Sequence, residues 1–218
     1  MKYKNFITIE GIDGSGKSTY VPVLQKMFED MGYNVVLTRE PGGTPYAEQL
    51  RHRILNEKMS LEEEVELAFL ARQDHLEKLI VPALEDEKTI VISDRYTDST
   101  YAYQGAASGC SEEKINEYVQ SHQKDIWPAL TLVFSVPVEI SQQRLNKTGK
   151  IPDKFESKDP EFFLKCIEGY NNQIKKDPER CKFVDSSKTI EQTTEQVQEL
   201  VKEFVEKNFP QRKKSRHP

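Results

Sequence analysis

The chain has 218 residues and a formal net charge of -5, with 36 acidic against 31 basic side chains. That length sustains one well-cored domain and falls short of two independent ones, which excludes large motor ATPases. The acidic balance excludes a protein whose main work is neutralising a nucleic-acid backbone, and no apolar stretch approaches the roughly 20 residues of a membrane span, so neither nucleic acid nor a membrane is an expected partner. Cys110, Cys166 and Cys181 are odd in number and lack a CxxC pair, so they suggest neither a disulfide framework nor a zinc site and point to a reduced, cytoplasmic setting. The opening Met1-Lys2-Tyr3-Lys4 leads into an apolar run instead of reading as a signal peptide.

Residues 6–9, Phe6-Ile7-Thr8-Ile9, read as a first buried strand. One residue further on comes Gly11-Ile12-Asp13-Gly14-Ser15-Gly16-Lys17-Ser18-Thr19. This fits G-x-x-x-x-G-K-[ST], in which a strand runs through a glycine-rich loop into a helix. The glycines let the backbone turn tightly and aim N–H groups inward at phosphate, and the helix adds the positive end of its dipole. Gly11, Gly14, Ser15, Gly16 and Thr19 are expected to form this cradle, Lys17 to reach the β/γ-phosphates and Ser18 to meet Mg²⁺. A flexible surface linker is the bland alternative, and the flanking strand and helix signals argue against it. Val21, Leu24, Met27, Phe28 and Met31 recur at helical spacing, and Gly32 supplies a stop.

A second apolar run, 35–38, ends on the turn-rich Arg39-Glu40-Pro41-Gly42-Gly43-Thr44-Pro45, followed by a helical stretch carrying Arg51. On composition alone an ordinary loop and a ligand-binding loop are equally supported. Residues 61–84 read as one long helix bent by Pro82. The third run, 89–92, leads to Asp94, placed where a second carboxylate of a phosphate-loop protein organises Mg²⁺ through water, and to Arg95, whose planar fork grips phosphate oxygens at two points. An Asp–Arg ion pair closing the strand end is the alternative there. A fourth run, 130–136, is followed by a polar segment with Arg144, Lys147, Lys150 and Lys154, too long and charged for core, before a helix near Pro160. A fifth, 182–184, precedes the helical stripe of Ile190, Val197, Val201, Phe204 and Val205, and 210–218 is expected to be a frayed end. Strands alternating with helices predict a single α/β domain over 1–218, its parallel sheet covered by helices on both faces. Ligands then sit beyond the carboxyl ends of the strands, where the clusters at 13–19, 39–44, 94–105 and 185–187 all fall.

Asp94-Arg95-Tyr96-x-x-Ser99-x-x-Ala102-Tyr103-Gln104-Gly105, together with Arg39-Glu40-Pro41-Gly42-Gly43-Thr44 and the phosphate loop, resembles the thymidylate kinase family. The similarity extends to Arg72 followed ten residues on by Pro82-Ala83-Leu84, to Asp153-x-x-Glu156 before Phe162-Phe163, to Tyr170 and to Val184-Asp185-Ser186. Nearly the whole chain is covered, in order. The resemblance implies a P-loop NTPase-type sheet with a small lid at about 141–157. It also implies a homodimer that transfers the γ-phosphoryl of ATP, with Mg²⁺, to the 5′-phosphate of dTMP. By the same resemblance Asp13 lies near the acceptor sugar's 3′-OH and the metal, and Arg95 bridges the acceptor and transferred phosphates. Arg51 grips the acceptor phosphate, while Glu40 and Pro41 shape its pocket. Arg72, Ser99, Thr100 and Gln104 match positions around the base, with Tyr170 in the same substrate region. Tyr103 matches the position that crowds the sugar's 2′ carbon, and Asp185, Ser186 and Ser187 border the adenine.

A phosphate monoester with a second pKa near ~6 is already an anionic nucleophile at neutral pH, so no protein base is required. What such a transfer needs is alignment of two mutually repelling anions and cations around the spreading charge. Because Gly14 and Ser15 carry no charge, the resemblance puts a catalytic cation on the lid, with Arg144 and Lys150 the leading candidates. Arginines are usual where this chain has Lys147, Lys150 and Lys154. A second departure is Ala68, standing where the family commonly has a base-stacking phenylalanine. Phe69 follows it, turned by about 100° along a helix, and is expected either to stack on the base or to pack in the core. A kinase for another or modified deoxypyrimidine monophosphate is the runner-up. A nucleotide-gated switch of the small GTPase type is the competing class, and the sequence carries no N-K-x-D base-reading motif for it.

Overall fold

The computed structural model describes residues 2–147, 149 and 151–209. Lys150 and the tail 210–218 lie outside the described residues. Among the described residues the strands are β1 (Lys2–Glu10), β2 (Asn34–Arg39), β3 (Thr89–Asp94), β4 (Trp127–Ser135) and β5 (Cys181–Asp185), all parallel in the order β2-β3-β1-β4-β5. Each expected apolar run is a strand. The two-residue period then sorts side chains to opposite faces. Ile7 and Ile9 of β1 join Ile90, Ile92, Leu130, Leu132 and Phe134 on one face, under Leu24 and Phe28 of α1 (Lys17–Asp30) and Val197, Val201 and Phe204 of α9 (Ile190–Asn208). Phe6 and Val91 face the other way, against Leu76, Ile80, Leu84 and Tyr96. The family-type α/β sheet with helices on both faces is therefore the observed architecture, and the carboxyl ends of β1, β2, β3, β4 and β5 share one edge.

Local signals explain the element ends. Gly32, at φ 87°, returns N–H groups to α1, with Gly32 N donating to Glu29 O at 2.9 Å and Tyr33 N to Phe28 O at 3.1 Å. The helices α2 (Pro45–Asn56) and α3 (Leu61–His75) start on the side chains of Thr44 and Ser60, the latter with Glu63 as a reciprocal cap. The expected helix over 61–84 is interrupted: α3 passes into a π-helical stretch, Leu76–Ile80, before the short α4 (Val81–Leu84). Pro82 supplies no N–H and its ring crowds the preceding carbonyls, so the disturbance falls in the turn before it. A second π-helical stretch, Tyr101–Ala107, continues α5 (Thr97–Thr100). After α6 (Glu112–Tyr118), a third covers Val119–Gln123.

The segment expected as a lid, 141–157, is of two kinds. Its first part belongs to α7 (Val138–Lys147), where Val138 and Ser141 are buried and Ser141 Oγ donates to Asp13 O at 2.7 Å. The apolar anchor and that hydrogen bond hold this part against the phosphate loop. Among the described residues, Gly149 and residues 151–159 form an irregular connection to α8 (Pro160–Lys176).

α8 packs on the stretch Tyr101–Ala107 at Gly169, where an added Cβ would stand 2.7 Å from Ala102 Cα and 3.0 Å from Ala106 Cβ. This close approach sets the position of the adjacent Tyr170. Gly169→Ala is expected to cost about 1–3 kcal/mol by overpacking, lowering the melting temperature by several degrees. An unchanged thermal melt would show that the two elements do not meet this closely.

Candidate active site

The phosphate loop joins β1 to α1, and its geometry requires its glycines. A Cβ on Gly11 would lie 2.2 Å from Phe134 O, and one on Gly14 2.5 Å from Ser141 O, so β4 and α7 press directly on the loop backbone. Gly16 precedes α1 with no side chain to cap it, which leaves the helix N-terminus to an anion. Lys17 Nζ donates to Gly11 O at 2.8 Å and Ile12 O at 3.1 Å. Burial, with Arg95 close by, pulls its ammonium down to about 8 against the attraction of Asp13 and Asp94. Ser18 and Thr19 line the cleft above the loop, together with Asp13, Gly14, Gly16, Lys17 and Asp94. Ser15 is wholly buried, its Oγ unpartnered, and its carbonyl receives Ser186 Oγ at 2.7 Å.

Arg95 follows β3 at φ 72°, a left-handed conformation for a residue with a side chain. Its NH1 contacts Gly11 O (2.9 Å), Ser99 Oγ (3.1 Å) and Tyr170 OH (3.0 Å), and its NH2 contacts Asp13 Oδ1 (2.6 Å) and Tyr103 OH (3.1 Å). Burial pushes the Asp13 carboxyl up, but Arg95 and Lys17 outweigh it and hold the group at about 2. Both Asp13 oxygens are engaged, Oδ2 with Tyr103 OH at 3.1 Å. The strand-end ion pair is thus real, with Asp13 and not Asp94 as its acid. Asp94 Oδ1 is buried without a hydrogen-bond partner, an orphaned acceptor.

Beneath Arg95 lies Glu10, a residue the sequence reading passed over. It ends β1 at 0% exposure and accepts from Tyr96 N (2.7 Å), Ser99 Oγ (2.6 Å) and Tyr170 OH (3.2 Å). Burial, reinforced by Asp98, raises its carboxyl to about 8. The signal was present in the sequence, as an acid immediately following the apolar run 6–9.

A second cleft opens on the other side of Arg95. Its lining includes Pro41, Ala68, Arg72, Tyr96, Ser99, Thr100, Tyr103, Gln104, Asp153 and Phe155, and it shares Asp13, Glu40, Arg51 and Arg95 with the phosphate-loop cleft. Thr100, Tyr103 and Gln104 follow Tyr96 at helical spacing, which explains their common face. Arg51 NH1 donates to Pro41 O at 3.0 Å. Arg72 is 3% exposed; its Nε donates to Glu40 Oε2 at 2.7 Å and its NH2 to Thr100 Oγ1 at 3.1 Å, while NH1 is buried without a partner. Glu40 also meets the buried His75, which in turn contacts Thr38.

Arg144 lines the phosphate-loop cleft, and other expected site residues fall outside both linings. Phe69 is fully buried with Val65, Ile115 and Val119, its ring stacked 5.3 Å from Tyr118, and Arg72 lies over that ring at 4.7 Å. The one-residue step turns it away from the cleft that Ala68 lines, so it belongs to the core. Tyr170 does not line the cleft but backs Arg95. Arg144 reaches over the loop, its NH1 at 3.4 Å from Gly14 O and 3.3 Å from Ser15 O, its NH2 at 2.8 Å from Ser186 O. Ser186 therefore adjoins the loop, while Asp185 and Ser187 hydrogen-bond to each other beside it. Lys154 turns to the acceptor side and pairs with Glu64. Lys150 lies outside the described residues.

Among the described residues no group of three metal-ligating side chains occurs, and no helix is long and apolar enough to cross a membrane. Cys110, Cys166 and Cys181 are free thiols. Residues 9–197 match the family model described as Thymidylate kinase. The chain is 40% identical over 206 residues to the thymidylate kinase of Nitrosomonas europaea, covering 94% of this chain and 95% of the relative. It is 41% identical to that of Methylobacillus flagellatus, with 91% and 97% covered, and 42% identical to that of Acinetobacter baumannii strain AYE, with 88% and 97% covered. A match running from β1 into α9, on a parallel sheet whose phosphate loop and second cleft meet at one arginine, shows that the chain is a kinase belonging to the thymidylate kinase family.

Proposed function

We propose that this chain transfers the γ-phosphoryl group of ATP to the 5′-phosphate of dTMP, releasing dTDP and ADP. The observation carrying this reading is the pair of clefts that join at Asp13, Glu40, Arg51 and Arg95. One ends in backbone amides and Lys17, suited to a triphosphate. The other is lined by Arg72, whose NH1 has no hydrogen-bond partner, and by the Gln104 amide, suited to a polar base edge. The arrangement holds two anions head to head, which is the main requirement of an in-line transfer.

In this reading Lys17 and the N-terminus of α1 bind the β/γ-phosphates, and Arg144 approaches from α7 as the cation over the loop. Arg51 and Arg95 hold the acceptor phosphate in line. Tyr103, fixed by Asp13 and Arg95, stands where a 2′-hydroxyl would need room. Lys150 remains a candidate lid cation. The residues fit Mg²⁺: the orphaned Asp94 Oδ1 suits a metal-bound water and the Ser18 hydroxyl suits direct contact, whereas Asp13 would have to share its oxygens with Arg95. When bound, the metal supplies charge neutralisation between the phosphates. Residues from 151 onward act as the lid, excluding water from the transfer. The family resemblance and the free cysteines support a cytoplasmic homodimer.

A coupled ADP-release assay across deoxynucleoside monophosphates tests the reading. dTMP is expected to exceed dCMP and dGMP by at least tenfold in kcat/KM; a tenfold preference for either of those would assign a different substrate. Lys17→Ala is expected to lower kcat by at least about two orders of magnitude with the fold retained, and near-normal turnover would remove the loop from the chemistry.

Lys17 also predicts a pH signature. With its pKa at about 8, it is roughly half protonated at pH 8, and a bound triphosphate favours the charged form and raises that value. ATP binding near pH 8 is therefore accompanied by uptake of up to about half a proton, and binding at pH 6 by almost none from this group. Calorimetry in buffers of different ionisation enthalpy measures the uptake. Lys17→Arg, charged throughout, should abolish it.

A further inference from the structure

Gln104 reads the acceptor cleft with a side chain whose two ends look alike but behave oppositely. An amide presents a donor at Nε2 and an acceptor at Oε1, and nothing in its shape fixes which faces a ligand. In this protein a neighbour fixes it. Gln104 Nε2 donates to Glu64 Oε1 at 2.8 Å, and the other carboxylate oxygen, Oε2, is held by Lys154 in an ion pair. A paired carboxylate only accepts, so the amide must offer it N–H. Among the described residues no hydrogen bond occupies Gln104 Oε1, which is left as the amide's polar contribution to the cleft. Glu64 is 6% exposed and does not line the cleft, so its effect passes through Gln104.

Resting on the proposed function, we infer that Glu64 is a specificity-determining positioning residue: it sets the Gln104 amide so that the cleft offers one donor, Arg72 NH1, and one acceptor, Gln104 Oε1. That pair matches the edge shared by thymine and uracil, with an acceptor at O4 and N–H at N3. Cytosine carries the reverse, an amino donor at C4 and a bare ring nitrogen, and leaves both protein groups facing their own kind. A buried polar group left unpaired is costly, which makes such an edge an effective discriminator. Lys154 comes from the segment that follows α7, and its neighbour Phe155 lies edge-on to Tyr103 at 5.6 Å. The same segment that covers the acceptor thus keeps Glu64 an acceptor.

The test is the ratio of kcat/KM for dTMP to that for dCMP, with dTMP to dUMP as internal control. Glu64→Gln can either accept from or donate to Gln104, so the amide is free to reverse. The dTMP/dCMP ratio is expected to fall at least tenfold while dTMP/dUMP, whose bases share one edge, stays within about twofold. A loss of mere structural support would lower all three acceptors together and leave both ratios in place, which would overturn the assignment. Should Glu64→Gln not fold, Gln104→Met removes the oxygen itself and must lower the same ratio; an unchanged ratio overturns the inference. In a Gln104→Met background Glu64→Gln should add nothing further to the ratio, and a full additional effect would show that Glu64 acts by another route. If the wild-type chain fails to phosphorylate dTMP, the proposed function itself falls; if it prefers dTMP and Glu64→Gln keeps that preference, only the present inference does.

Discussion

The arrangement rests on the guanidinium of Arg95 and the carboxylate of Asp13, 2.6 Å apart at the edge where β1 and β3 end. Arg95 adopts a left-handed φ that costs a side-chain-bearing residue about 1–2 kcal/mol. Charge-assisted hydrogen bonds are worth about 1.5–3 kcal/mol each, and its contacts to Asp13, Gly11, Ser99, Tyr103 and Tyr170 outweigh the backbone cost. Arg95 N also donates to Ile9 O at 2.9 Å, continuing the β1–β3 pairing one step past the strand. The sheet therefore sets where the guanidinium stands. The two clefts share this side chain because β3 delivers it between them.

Glu10 completes that support from below. Ser99 and Tyr170 each meet Arg95 on one side and Glu10 on the other, so the acid locks the groups that lock the arginine. Its carboxyl, raised by burial, adds little negative charge at neutral pH beneath a site built to receive anions. Asp98, which reinforces that rise, is itself paired with Arg180 in a buried fork at 2.6 and 2.9 Å. A chain of hydrogen-bonded polar groups thus runs from Glu10 through Ser99 and Tyr170 to Arg95 and on to Asp13 of the phosphate loop.

Most of this fold was legible from alternation alone. Among the described residues every strand falls on an apolar run read from the sequence, although β1 and β4 begin earlier than their runs at 6–9 and 130–136, and the phosphate loop is marked by glycines whose absent side chains make room for Phe134 and Ser141. The resemblance put Thr100, Tyr103 and Gln104 in the acceptor region, and the structure sets them on one cleft because one continuous helical stretch carries them. What could not be read was contact between segments distant in sequence. Asp13 and Arg95 are 82 residues apart, Gln104 and Glu64 are 40 apart, and no local pattern announces either pair. Phe69 was ambiguous for a related reason: a helix shows its own periodicity, but whether a given face meets core or cleft depends on α6, which packs on it later in the chain.

The cations of the site divide into two kinds, and the division explains how it receives phosphate. Arg72 and Arg95 are paired with carboxylates, Glu40 and Asp13, and are fixed in place whatever binds. Lys17, Arg51 and Arg144 hydrogen-bond, among the described residues, to backbone carbonyl oxygens only. A neutral carbonyl is a weaker partner than a phosphate oxygen, so these three can exchange contacts without leaving a buried charge unpaired. The acids also serve the second group: burial and Arg95 lower the Lys17 ammonium, while Asp13 and Asp94 raise it. Without those acids Lys17 would hold its proton less tightly before any anion arrived. The site can hold its positive charges close together because negative groups are built in beside the ones that do not move.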